Sequence, residues 1–192
     1  MTINARLEKT LKDLSAAGAD FADLYFETSS SHSFSYEDGI FEEISSSGFE
    51  GTGVRVIRGD STSHVHVPGV DLAAAISSLE EASRSNGLTL TGARGEGRVV
   101  ERGFFPQPPD ISFFKDADSG VRGASPWVKQ VSMSLQTASK NFSVYNSDGL
   151  SAGDQREYTL FSVEVIVEKD GVIQTGYESE ALSMGSAGFF KK

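Results

Sequence analysis

Leu7, Leu11 and Leu14 recur at i, i+4 and i+7, which puts one apolar stripe on a helix from about Asn4 to Ala17. Gly18 follows as a stop signal. The period then shortens from helical to extended. Phe21, Leu24, Tyr25 and Phe26 mark a strand over residues 20–28, and Ser33-Phe34-Ser35-Tyr36 alternates in period two. Asp38-Gly39 supplies a turn, from which Ile40 to Ile44 returns. A second hairpin runs from Val54-Arg55-Val56-Ile57 through Gly59-Asp60 into His64-Val65-His66-Val67, and Pro68-Gly69 ends it. Leu72, Ile76 and Leu79 then form the apolar stripe of a second helix, from about Asp71 to Arg84, with Asp71 placed to cap its free amides.

Residues 85–110 read as a long connection that collects five glycines and then Pro106, Pro108 and Pro109. Structureless stretches of that length usually mark a domain boundary or a functional loop. The chain therefore divides into a helix and antiparallel-sheet subdomain over 1–96 and a mainly β subdomain over 97–192. A short helix over residues 111–121 is weakened by Gly120 and Gly123. Beyond it, Val131 to Leu135 and Phe142-Ser143-Val144 alternate, Asp148-Gly149 turns, and Tyr158 to Val167 forms the longest strand candidate. Lys169-Asp170-Gly171 turns that strand into Val172-Ile173. The tail from Gly176 to Phe190 has little periodicity and reads as irregular, as if its packing partner lay beyond Lys192. Each half places a helix before a DG turn and a long hairpin, a weak echo that favours two similar subdomains. The expected class is α+β, with long antiparallel hairpins packed against a few helices.

Composition changes the picture mainly by exclusion. The chain has 192 residues with a formal net charge of −10, and its 17 basic residues are scattered, only Lys191 and Lys192 at the extreme end being adjacent. Nucleic-acid docking needs a basic stripe, so it is not expected. No apolar run approaches the roughly 20 residues that cross a bilayer. The charged start, MTINARLEKTLKDL, lacks a signal-peptide core. There are no cysteines, hence no disulfide framework and no thiolate metal site. A cytoplasmic protein is expected.

Several residues invite a catalytic reading. His64-x-His66 puts two imidazoles on one face of a strand, a geometry that binds metal. A catalytic zinc takes three protein ligands, however, and His32 is the only other histidine, so this pair is set aside as a solvent-facing hairpin edge. Gly51-x-Gly53-x-Arg55 lacks the third glycine of a phosphate loop and leads into a strand, so close backbone approach explains it better. Arg55 is expected to hold a carboxylate across the sheet, with substrate contact as the alternative. Glu42-Glu43 and Glu80-Glu81 diverge in space and form no dyad. There is no G-x-S-x-G elbow. Trp127, Phe104, Phe105 and Phe113 are expected to cover the core.

In order and spacing, GADFADLYFETSS, EDGIFEEISSSGFEGTGVRVIRGDSTSHVHV and SPWVKQVSMSLQ…REYTLFSVEVIVEKDGVIQTG resemble the opening of TldD/PmbA proteins, also called modulators of DNA gyrase. Gly18-Ala19-Asp20-Phe21-Ala22-Asp23 and Gly51-Thr52-Gly53-Val54-Arg55 fall where that family carries its first strand and its G-x-G-x-R strand. The resemblance is to the TldD branch and extends from about Leu7 to Gly176. It implies a zinc metallopeptidase whose ion is held by an H-E-x-x-x-H helix, a motif this sequence does not contain. Glu178-Ser179-Glu180-Ala181 is also poorer in glycine than the family's corresponding loop.

The expectation is therefore a non-catalytic front domain of a metallopeptidase, inactive alone, supporting dimer assembly with a TldD/PmbA-type chain and admitting peptide substrates. No cofactor is expected in this chain, and zinc is expected in the full-length family protein. Arg55 and the strand positions Val163, Val165 and Val167 are the substrate-side candidates, through main-chain pairing with an extended peptide. The alternative is a stand-alone adaptor for peptides or proteins that has lost the catalytic half. Direct action on DNA, suggested by the family's older name, is opposed by the acidic charge.

Overall fold

The computed structural model describes residues 3–90, 97, 99 and 110–190. Helix α1 (Ile3–Ala16) leads into the long strands β1 (Phe21–Glu37) and β2 (Ile40–Arg58) and the shorter β3 (Ser61–Pro68). Helices α2 (Leu72–Ser85) and α3 (Phe113–Ala124) follow. The chain closes with β4 (Val128–Asn146), β5 (Ser151–Lys169), β6 (Val172–Leu182) and the single turn α4 (Ser186–Phe189). One six-stranded sheet results, in the order β3-β2-β1-β4-β5-β6. It is two three-stranded meanders joined along β1 and β4, in keeping with the α+β class.

Local signals explain the ends of these elements. The amide of Gly18, at φ +103°, bonds back to Ser15 O and closes α1 in a backbone region that L side chains avoid. Asp38 and Gly39 both take positive φ, as do Asp170 and Gly171, the geometry of two-residue hairpin turns that match strand twist. At α2 the Asp71 carboxylate accepts the Ala74 amide at 2.8 Å.

The strands are longer than alternation predicts. Residues 20–28 and 33–36 belong to one strand, as do 40–44 and 54–57, and as do 131–135 and 142–144. The intervening Ser- and Gly-rich stretches have poor strand propensity, but cross-strand bonding holds them. Ser30 Oγ meets Ser139 Oγ at 2.9 Å, and Ser31 Oγ meets Ser47 Oγ at 2.8 Å. The tail over 176–190 is likewise not irregular, since β6 continues to Leu182 and α4 follows. Helix α3 runs through both Gly120 and Gly123. Phe104 and Phe105 lie outside the described residues. Trp127 does not join the core: it is 46% exposed, with the Lys169 ammonium 3.9 Å from its ring centre.

Two compact units form, each assembled from three separate stretches of chain. The first comprises Met1–Ser29, Phe49–Gly103 and Lys140–Gln155. In its core Leu7, Leu11 and Leu14 of α1 and Leu72, Ile76 and Leu79 of α2 pack with Leu24, Phe26, Val54 and Val56 of the sheet. Both predicted helical stripes are thus buried. The second comprises Ser30–Gly48, Phe104–Ser139 and Arg156–Lys192. There Phe114 of α3 is fully buried among Phe34, Tyr36, Val131, Met133 and Leu135, with Phe113 and Phe161 at its margin.

Candidate functional site

In the first unit, the Gly51-x-Gly53-x-Arg55 segment lies on β2 and pairs with β3, Gly53 opposite His66 and Arg55 opposite His64. A Cβ on Gly51 would sit 2.6 Å from the Phe49 ring, and one on Gly53 would sit 3.4 Å from the His66 ring. The glycines let these rings lie close over the strand. They floor a cavity of about 440 Å³ that Tyr25, Glu27 and Pro68 also line. Arg55 holds the carboxylate of Asp23 in an ion pair and lies 5.4 Å from the centre of the Phe21 ring.

Glu27 carries the charge of this cavity. Its Oε2 accepts the Tyr25 hydroxyl at 2.7 Å and pairs with Lys140 Nζ at 2.7 Å. Burial alone would raise the Glu27 carboxyl, but these two donors outweigh it and hold the pKa below its usual range. The same contacts, led by the Glu27 bond, raise Lys140. Tyr25 is raised as well, by burial first and by Glu27 second. Tyr25 and Phe142, whose rings stack at 5.8 Å, back this carboxylate–ammonium pair. No sequence motif announces it, because its members come from β1 and β4.

The imidazoles of His64 and His66 are exposed, with ring centres 4.2 Å apart and planes inclined at 72°. Among the described residues no group of three His, Cys, Asp or Glu side chains is placed to hold a metal ion. Two solvated imidazoles without a third donor do not fit a zinc site.

In the second unit, Val163, Val165 and Val167 lie on β5 opposite Glu178, Gly176 and Gln174 of β6. Their strand is interior, with β4 on its other side. The edge available to an added strand is therefore β6, which is exposed from Val172 to Ala181 and presents Val172, Ile173 and Tyr177 at 60%, 66% and 65% exposure. Long, exposed, apolar edges are templates for further strand pairing.

The second unit also contains a cavity of about 340 Å³ lined by His32, Thr137, Tyr158, Leu160 and Leu182. His32 Nδ1 is 2.7 Å from Ser46 Oγ, while its Nε2 is buried without a hydrogen-bond partner. Sequence reading singled out neither His32 nor Thr137. Alternation from Phe34 and Tyr36 would have placed His32 on the core face, but nothing in sequence sets it beside Thr137.

Comparison with known proteins adds family to geometry. Residues 22–87 match the profile of the PmbA/TldA metallopeptidase domain 1, and residues 105–191 match that of the PmbA/TldA metallopeptidase central domain. A metalloprotease TldD homolog of Haemophilus influenzae is 28% identical over 190 residues, covering 92% of this chain and 38% of the relative. One from Buchnera aphidicola is 26% identical over 180 residues, covering 86% of this chain and 36% of the relative. The chain thus spans less than two fifths of the length of these curated relatives. Among solved structures, a protein from Thermotoga maritima described as a modulator of a DNA gyrase superposes with a TM-score of 0.68 at 16% identity, over 95% of this chain and 44% of that one. TldE from Thermococcus kodakarensis gives 0.64 at 14% identity, over 93% and 43%. At these identities the structural likeness speaks for the fold. No helix among the described residues is long and apolar enough to cross a membrane.

Proposed function

Because this chain belongs to the PmbA/TldD metallopeptidase family, with matches to both its first and its central domain, we propose that it is a non-catalytic part of a cytoplasmic peptidase, assembling with a TldD/TldE-type chain and admitting peptide substrates. Zinc chemistry in this reading belongs to residues outside this chain. The observation that carries it is β6, an exposed edge whose apolar side chains and unpaired main chain suit an extended peptide or a partner's strand. Val163, Val165 and Val167 act behind that edge by fixing its register. Arg55, held by Asp23, is a substrate-side position in the first unit. In this reading the sequence divides between residues 96 and 97 into a helix and antiparallel-sheet segment and a mainly β segment.

The test mixes the purified chain with a zinc-loaded family chain that carries H-E-x-x-x-H. Cleavage of an unfolded peptide mixture and co-elution are then followed. The expected result is no cleavage by this chain alone, a stable complex, and weaker assembly or cleavage after Ile173→Lys with Tyr177→Lys on β6. Cleavage by this chain alone, or no association and unaltered cleavage, would overturn the proposal. A peptide-binding adaptor without catalysis is the second reading, favoured by the cavity at His32. It predicts peptide binding with no effect on the zinc-bearing chain.

A further inference from the structure

In the first unit, Leu24 and Phe26 of β1 and Val54 and Val56 of β2 pack with the helices. The alternate positions, among them Tyr25, Glu27, Phe49, Gly51, Gly53 and Arg55, therefore share the opposite face of the sheet. That face twice seats a cation of this chain against an aromatic ring and a carboxylate. Arg55 lies 5.4 Å from the centre of the Phe21 ring and pairs with Asp23. Lys140 Nζ lies 5.7 Å and 5.9 Å from the centres of the Tyr25 and Phe142 rings and 2.7 Å from Glu27 Oε2.

Phe49 is a ring on this face that has no such cation. It is 57% exposed, and among the described residues no ring or cation is stacked on it. Its ring folds back over Gly51, where a Cβ would stand 2.6 Å from Cζ. Neither Gly51 nor Gly53 takes a positive φ, so backbone conformation does not call for glycine there. What the missing side chain at Gly51 admits is the ring. Phe49 thereby becomes a wall of the cavity of about 440 Å³ that Tyr25, Glu27, His66 and Pro68 complete, a volume in the range of ligand sites. Of the lining residues only Glu27 carries a full charge, and its side chain, 17% exposed, is not sealed from solvent.

We propose that this cavity takes an arginine side chain of a peptide, with its guanidinium over the Phe49 ring and against the Glu27 carboxylate. A guest would then repeat what Arg55 does with Phe21 and Asp23. A guanidinium is planar, weakly hydrated and stacks on aromatic faces, which suits it better than a compact ammonium. Its methylenes can lie against Val67 and Pro68. Lys140 shares the Glu27 carboxylate but does not line the cavity, and a carboxylate accepts several hydrogen bonds at once. An anion would meet both that carboxylate and the electron-rich ring faces. The inference rests on the peptide-handling reading above and gives it a side-chain preference.

The experiment titrates the ¹⁵N-labelled chain with an end-blocked alanyl-arginyl-alanine peptide and follows the Gly51 and Gly53 amides by NMR. A matched peptide carries citrulline, the neutral isostere of arginine. Saturable shifts are expected, with the arginine peptide bound about tenfold more tightly than its citrulline twin. Phe49→Ala should weaken arginine binding about tenfold and leave the thermal midpoint unchanged, because the ring is exposed. Gly51→Ala keeps Phe49 but drives its ring off the strand, and should weaken binding too. Glu27→Gln should abolish the preference over citrulline. No saturable response, equal affinity for the two peptides, or undiminished affinity in Phe49→Ala would each overturn the site. Arginine-selective binding without any effect on the zinc-bearing chain would sink the peptidase reading and leave this site standing. Support of that chain's cleavage with no discrimination between arginine and citrulline would do the reverse.

Discussion

Arg122, in the last turn of α3, is ion-paired with Asp38, the left-handed residue of the β1–β2 turn. The same Asp38 oxygen accepts the amide of Val131 on β4 at 3.0 Å, so one carboxylate ties together a helix, a turn and a strand. The Val131 amide foremost, and Arg122 with it, hold the Asp38 carboxyl below its ordinary range. Because the folded pKa is depressed, its contribution is complete above the unfolded value of about 4 and is lost as pH falls through the folded value. Asp38→Asn tolerates the positive φ and keeps an acceptor but loses the charge. Urea unfolding should show it about 1 kcal/mol less stable at pH 7, with the gap shrinking in acid. A gap independent of pH would refute the assignment.

Glu27 and Lys140 test the electrostatics of the first cavity. With Lys140→Met the ammonium is gone while burial remains, so the Glu27 carboxyl should titrate higher than in the parent chain. Carboxyl ¹³C shifts followed against pH read this directly. An unmoved Glu27 would mean that the 2.7 Å contact is not maintained in solution.

Phe26 is fully buried and meets Tyr145 edge-to-face at 6.0 Å between ring centres. Phe26→Ala should cost about 3–5 kcal/mol, since it removes a ring and leaves a cavity that the sheet cannot close. Denaturant melts monitored by circular dichroism give the value. A loss below about 1 kcal/mol would show that this core repacks freely.

Asp71→Ala removes the side-chain cap at the start of α2 and should cost about 1 kcal/mol. Asp71→Ser should recover most of it, because a hydroxyl can accept the Ala74 amide in place of the carboxylate. Failure of serine to rescue would indicate that charge at the helix N-terminus, rather than the hydrogen bond, supplies the stability.

Sequence alone settled what depends on near neighbours. The stripes of α1 and α2, the Asp71 cap and the DG hairpin turns are local chemistry and stand where periodicity places them, and the ordered strand motifs carried the family. The strands' true lengths were not legible, because Ser29–Ser31, Ser45–Gly53 and Thr137–Asn141 have no strong strand preference of their own. Their extended form comes from ladder partners far away in the chain, such as Ser139 for Ser30. The start of β6 at Val172-Ile173 was legible, but its continuation from Gly176 to Leu182 was hidden for the same reason, its register being set by β5. The candidate sites were the least legible. Glu27 meets Lys140, and His32 shares a cavity with Thr137, only because β1 and β4 lie side by side at the centre of the sheet. Pairing between distant strands is decided by the summed burial and hydrogen bonding of the whole fold, and no short window of sequence contains that sum.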